Sequence, residues 1–215
     1  LINNTTSFKL VKPYSLFFTS KNTTESIFEI DYTVNNKNTW ASNWFASNIT
    51  GGKRELLPTD EFIALANDPK TGGDRSALLL PVGGVTYGNM NFKIATGDDQ
   101  VYAIRIAEMY LIRAEARAEN PAPNFAGALD DLNTIRSRSN VPAVAVIADK
   151  QELIDKILAE RRIEFAYESH RWFDLIRKGK AQTVLGITDP SKLLFPIPKQ
   201  QLLVNPALVQ NPGYN

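Results

Sequence analysis

Glu160, Glu164 and Glu168 recur every four residues, inside a stretch with no proline or glycine. On a helix this spacing stacks three carboxylates in one row, and each like-charged pair so placed costs about 0.2–0.5 kcal/mol. A fold that keeps such a helix has to bring cations to the row. Arg161 and Arg162 flank Glu160, and Arg171 stands three residues beyond Glu168. Arg105, Arg113, Arg117, Arg136 and Arg138 lie on upstream segments that can face the row across a helix interface. The chain therefore reads as packed helices tied together by ion pairs.

Hydrophobic spacing supports the same architecture. Ile104, Ala107, Leu111, Ala114 and Ala118 fall three or four apart and make one apolar stripe on a helix. Asn120-Pro121-Ala122-Pro123 ends it, since proline lacks the amide proton and clashes with the preceding turn. Asn124 can cap a second helix with an inner stripe of Phe125, Leu129, Leu132 and Ile135. The short link makes the pair antiparallel, a hairpin of the size found in tetratricopeptide repeats. No second copy follows, and about three units are needed to bury a solenoid's faces. Asp149 with Glu152 resembles a capping box opening a third helix, expected to run to about Lys178 and stop at Gly179.

The flanks differ. Residues 1–100 are rich in Asn, Thr, Ser and Gly, with turn signals at Gly51-Gly52, Asp68-Pro69, Gly72-Gly73 and Gly83-Gly84. Phe28 to Val34 alternates apolar and polar residues, the period of a strand with one buried face. Asp60 to Ala66 can form a short helix capped by Thr59, with Phe62, Ile63 and Leu65 inward. Beyond residue 180, Pro190, Pro196, Pro198, Pro206 and Pro212 argue for an extended tail over the helices, pinned by Leu193, Leu194, Phe195 and Ile197. The expected fold is mainly α, with short β-strands and long loops. It forms one domain over 1–215: a loop-rich part to about 100, three helices over 101–180, and a tail over 181–215.

Several functions are disfavoured. The 24 basic and 23 acidic residues leave a net charge of +1, which offers no broad attraction to nucleic acid. Cysteine is absent, so this stretch has no disulfide, thiolate metal site or cysteine nucleophile. His170 is the single histidine, and no glycine-rich phosphate loop precedes a helix. No metal or cofactor is expected. Glu160 and Glu164 have the separation of a retaining glycosidase pair. So many guanidinium groups nearby would instead hold their pKa values down, against the needs of a catalytic acid. The structural reading is preferred, with Arg105, Glu108, Arg136, Glu160, Arg161, Arg162, Glu164, Arg171 and Asp174 forming the network.

The most suggestive ligand segment is Asn38 to Asn48, which carries Trp40, Asn43, Trp44 and Phe45 among amide and hydroxyl side chains. Sugars offer apolar C–H faces for aromatic rings and hydroxyls for amides, and this segment has both kinds of partner. The alternative is that these rings anchor a loop to the core, as tryptophan often does. Arg75 and Tyr87 are weaker candidates in the glycine-rich stretches.

Ordered motifs add a resemblance. Arg105, Glu108, Tyr110, Leu111, Ala114, Glu115 and Ala116 look like an "R-x-x-E-x-Y-L-x-x-A-E-A" helix of the SusD/RagB family. Leu132-Asn133, Ile135-Arg136, Glu160-Arg161-Arg162, Glu164, His170-Arg171 and Asp174-Leu175 continue the match, and Glu25 to Ile30 is similar to the strand that opens this part of the fold. Ser169 stands where the family commonly has glycine. The resemblance is to the family's C-terminal half, so the chain reads as part of a longer protein. It implies an outer-membrane lipoprotein, anchored by a lipid outside these residues, that captures glycans or other nutrients for a TonB-dependent, SusC-like transporter. A helical protein-interaction adaptor and a glycosidase remain the alternatives.

Overall fold

The computed structural model describes residues 2–3, 6–44, 52–89 and 96–214. They form two compact units, Leu1–Glu168 and Ser169–Asn215.

In the first unit, strand β1 (Ser26–Asp31) is followed by a single helical turn, α1 (Ala41–Trp44), and by helix α2 (Asp60–Asn67). The Thr59 hydroxyl accepts the Phe62 amide at 3.2 Å and so caps α2. A hairpin of β2 (Leu79–Val82) and β3 (Val85–Gly88) comes next. Its two-residue turn, Gly83-Gly84, has φ of +59° and +78°, the left-handed pair that a tight antiparallel hairpin requires. Strand β4 (Gln100–Arg105) then pairs antiparallel with β1 and runs directly into helix α3 (Ile106–Glu119).

Helices α3, α4 (Phe125–Arg138) and α5 (Lys150–Glu164) pack on one another. The α3 stripe is Ala107, Leu111, Ala114 and Ala118, each fully buried against Ala128, Leu132, Ile135, Leu153 and Ile157. Asn124 accepts the Gly127 amide at 2.9 Å and Asp149 accepts the Glu152 amide at 2.7 Å, which caps α4 and α5. Asp131 of α4 binds Arg113 (2.5 Å) and Arg117 (2.8 Å) of α3, pinning the hairpin along its length. A second core joins Val11, Tyr14, Phe17, Ala66, Leu78, Leu79, Tyr102 and Ile163, with Phe62, Ile63 and Leu65 packed at its edge.

The second unit holds α6 (His170–Arg177), α7 (Ala181–Leu185), a 3-10 turn (Pro190–Leu193) and α8 (Lys199–Val204). Trp172 and Phe195 lie with ring centroids 5.8 Å apart, and Gln210 makes two hydrogen bonds to the backbone of Ile197, at 2.8 and 2.9 Å.

Four expectations change here. The third helix does not reach Lys178: α5 ends at Glu164, and a turn with Tyr167 at φ +68° and Ser169 at φ +65° separates it from α6. Three carboxylates in a row would repel along an unbroken helix, whereas the break lets Glu168 leave the row. Ile104 belongs to β4 and is 38% exposed, so the inner stripe begins at Ala107. The alternation in β1 does not bury its apolar face: Phe28 is 56% and Ile30 48% exposed among the described residues, because the sheet has only two strands. The tail is not wholly extended; prolines fall at the edges of its short helices, and Leu194 and Phe195 stay exposed rather than pinned. Among the described residues no helix is long and apolar enough to cross a membrane.

Candidate functional site

Four arginines and four glutamates meet in the interior of the first unit. Arg105, at the junction of β4 and α3, grips Glu168 with two bonds of 2.8 Å, Glu25 at 2.6 Å and Glu164 at 2.9 Å. Arg138, the last residue of α4, binds Glu25 at 3.0 Å and also Glu164. Arg75 binds Glu160 at 2.5 Å and Glu164 at 3.3 Å, and Arg136 takes the other Glu160 oxygen at 2.7 Å. The backbone joins in, since the Val11 amide donates to Glu25 at 2.7 Å and the Glu164 carbonyl accepts from Arg105 at 2.7 Å. Phe17 and Phe165 face the Arg105 guanidinium at 5.0 and 4.8 Å from their ring centroids, and Tyr14 faces Arg138 at 4.8 Å. The rings keep water away from a cluster whose formal charges balance.

Burial drives the Glu25, Glu164 and Glu168 carboxyls toward their neutral forms, and the arginines oppose it. At Glu164 the guanidinium groups of Arg138, Arg105 and Arg75 win and hold the pKa at about 2. At Glu25, burial outweighs Arg138 and Arg105, so the carboxyl is raised. Arg105 is raised well above its ordinary value despite its burial, through Glu168, Glu164 and Glu25.

The arrangement overlaps the expected network without matching it. Arg105, Arg136, Glu160 and Glu164 come together. Arg161 instead approaches Glu108 at 4.0 Å, Arg162 reaches Glu61 at 2.8 Å, and Asp174 pairs with Arg177 in the second unit. Arg171 also lies in that second unit. Glu25 and Arg75 enter from the loop-rich half, where no helical row signals them. For Arg75 this is a correction: its side chain is 0% exposed and spent on Glu160 and Glu164, so it is closed to a ligand. Tyr87, on β3, is also buried, which closes its ring to a ligand.

The tryptophan segment divides. Backbone bonds from Ser42 to Thr39 and from Asn43 to Trp40 make the single turn α1, and the Trp40 amide donates to the Asn38 side chain at 2.9 Å. Trp40 is 51% exposed. Trp44, on the same turn, is partly buried, with its ring edge-on to Tyr167 at 4.7 Å. Gly88 permits that contact, because a Cβ there would stand 3.0 Å from both rings. Asn43 is half-buried beside them, while Phe45 and Asn48 lie outside the described residues. Trp44 thus anchors the turn, and Trp40 is the more exposed ring of the two.

Residues 61–192 match the SusD family. The chain belongs to the SusD family. Among curated relatives, SusD-like protein P38 of Formosa agariphila is 34% identical over 139 residues, 60% of this chain and 27% of that protein. SusD-like protein P25 of the same organism is 31% identical over 131 residues, 54% of this chain and 24% of its own length. A SusD superfamily protein from Bacteroides vulgatus superposes with a TM-score of 0.77 at 22% identity, over 98% of this chain and 56% of that one. A laminarin-binding SusD-like protein gives 0.69 at 26% identity, over 97% and 54%. The chain spans about a quarter of the curated relatives' length and about half of the solved ones.

Proposed function

We propose that this chain is part of a non-catalytic carbohydrate-binding protein, which captures glycans at the outer-membrane surface and hands them to a TonB-dependent transporter. Family membership supports the reading, together with structural relatives named as laminarin-binding and, in Bacteroides uniformis, as a surface glycan-binding protein. The observation that carries it within this chain is Trp40, an indole left open to water on a turn otherwise fixed by Trp44 and Tyr167. A flat ring beside Ser42 and Asn43 suits the C–H face and hydroxyls of a sugar.

Glu160 and Glu164 do not favour hydrolysis. Their side chains are 2% and 0% exposed, and every carboxylate oxygen already accepts from an arginine. A general acid needs a proton near neutral pH and access to the scissile bond, and Glu164 has neither.

Calorimetric titration of the chain with a glycan panel that includes laminarin tests the proposal. Trp40→Ala should weaken binding roughly 3- to 10-fold, the worth of one stacked ring. Trp44→Ala should lower stability first. Affinity unchanged in Trp40→Ala would remove this turn from the site.

A further inference from the structure

Beside Glu160 lies a cleft of about 210 Å³, lined by Leu65, Val144, Ala159 and Ile163 together with Lys70, Thr71, Arg136, Lys156 and Glu160. It is separate from the Trp40 turn. Its charges are unbalanced: three cations face one carboxylate, whose two oxygens are already taken by Arg75 and Arg136. Arg136 is tied down on all three nitrogens, donating to the Pro142 carbonyl at 2.8 Å, to Glu160, and to the Lys70 carbonyl at 3.1 Å. Lys70 and Lys156 are different. Among the described residues neither ammonium group has an ion-pair or hydrogen-bond partner, although both line the same cleft. Lys156 lies four residues before Glu160 on α5, the spacing of a helical ion pair, yet Glu160 turns to the arginines instead.

We infer that this cleft is a subsite for an acidic sugar unit, with Lys70 and Lys156 holding its carboxylate or sulfate and the side chains of Leu65 and Val144 meeting its C–H face. The inference rests on the carbohydrate reading above and deepens it. Size fits the assignment: pockets for drug-sized ligands measure ~300–1,000 Å³, so this cleft suits one ring rather than an oligomer. Charge fits as well. An oxyanion here would meet two ammonium groups not yet spent on the protein, over a partly apolar floor that strengthens the attraction. Lysine holds either oxyanion as a point charge, so uronic and sulfated sugars are both admitted.

The test follows backbone amide shifts of the intact chain during titration with glucuronate, glucose 6-sulfate, glucose and inorganic sulfate. The expected result is that the two acidic sugars shift amides around Lys70, Val144 and Lys156 more strongly than glucose or inorganic sulfate. Affinity should fall roughly tenfold in the Lys70→Gln/Lys156→Gln double variant, and also on raising salt from about 0.05 to 0.5 M. Both lysines are exposed, so the variant should melt like the parent. Equal affinity in the variant, or no binding of acidic sugars, overturns the subsite. Inorganic sulfate binding as well as the sugars also overturns it, leaving charge attraction only. Neutral-glycan binding that depends on Trp40 is measured separately, so the subsite can fail while the carbohydrate reading stands.

Discussion

At Glu164 three arginines, Arg75, Arg105 and Arg138, converge on the carboxylate, and Arg105 and Tyr14 on the backbone carbonyl. Replacing a buried ion pair with apolar groups can be neutral, but removing one partner strands the others, at about 3–5 kcal/mol. Glu164→Gln should therefore destabilise the chain by about that amount in urea titrations. The sign of its pH dependence follows from the depressed pKa. Its contribution is complete above the unfolded carboxyl's ordinary value and is lost as pH falls from about 4.5 toward 2. Glu25 is raised, so protonation there favours the folded state before that window is reached. Wild-type denaturation midpoints should thus drop steeply on acidification below about pH 4.5. Glu164→Gln should flatten that limb; an equally steep limb in the variant would remove Glu164 as its cause.

The break between α5 and α6 is where sequence periodicity misled. From Asp149 to Lys178 no proline or glycine interrupts the chain, so the pattern reads as one helix. The interruption is made by Tyr167 and Ser169 in left-handed conformations, which cost non-glycine residues about 1–2 kcal/mol each. Glycine adopts φ +65° without that cost, though it gives back about 0.5–1 kcal/mol in unfolded-chain entropy. Ser169→Gly should then be neutral to stabilising by up to ~1 kcal/mol, read from thermal or urea midpoints. Clear destabilisation would mean that the Ser169 side chain contributes something its backbone angle does not reveal. Caps at Thr59, Asn124 and Asp149 were legible beforehand, because each needs only its own oxygen and an amide two or three residues away.

Taken whole, the first unit is closed by contacts that ignore chain distance. Val11 donates to Glu25, Glu25 binds Arg105 and Arg138, and these bind Glu164. An amide in the loop-rich N-terminal part is thus tied to the helical core. Hydrogen exchange should show Val11 protected to nearly the level of the α3–α5 amides, and Glu25→Gln should selectively speed its exchange. Rapid exchange at Val11 in the parent chain would show that the network does not hold this segment.

From the residues alone, the helical hairpin, its caps, the glycine turn at Gly83-Gly84, the pairing of Glu160 and Glu164 with arginines and the family motifs could be read, since periodicity and capping act over a few neighbouring positions. Tertiary structure decided which arginines meet which glutamates, that Arg75 and Glu25 belong inside, and that Trp40 stays in water while Trp44 does not. Those outcomes depend on desolvation and on side chains far apart in the chain, such as Glu25 with Arg138 and Trp44 with Tyr167. An ion pair's free energy is set by what surrounds it once the chain has closed, and no local pattern encodes that environment.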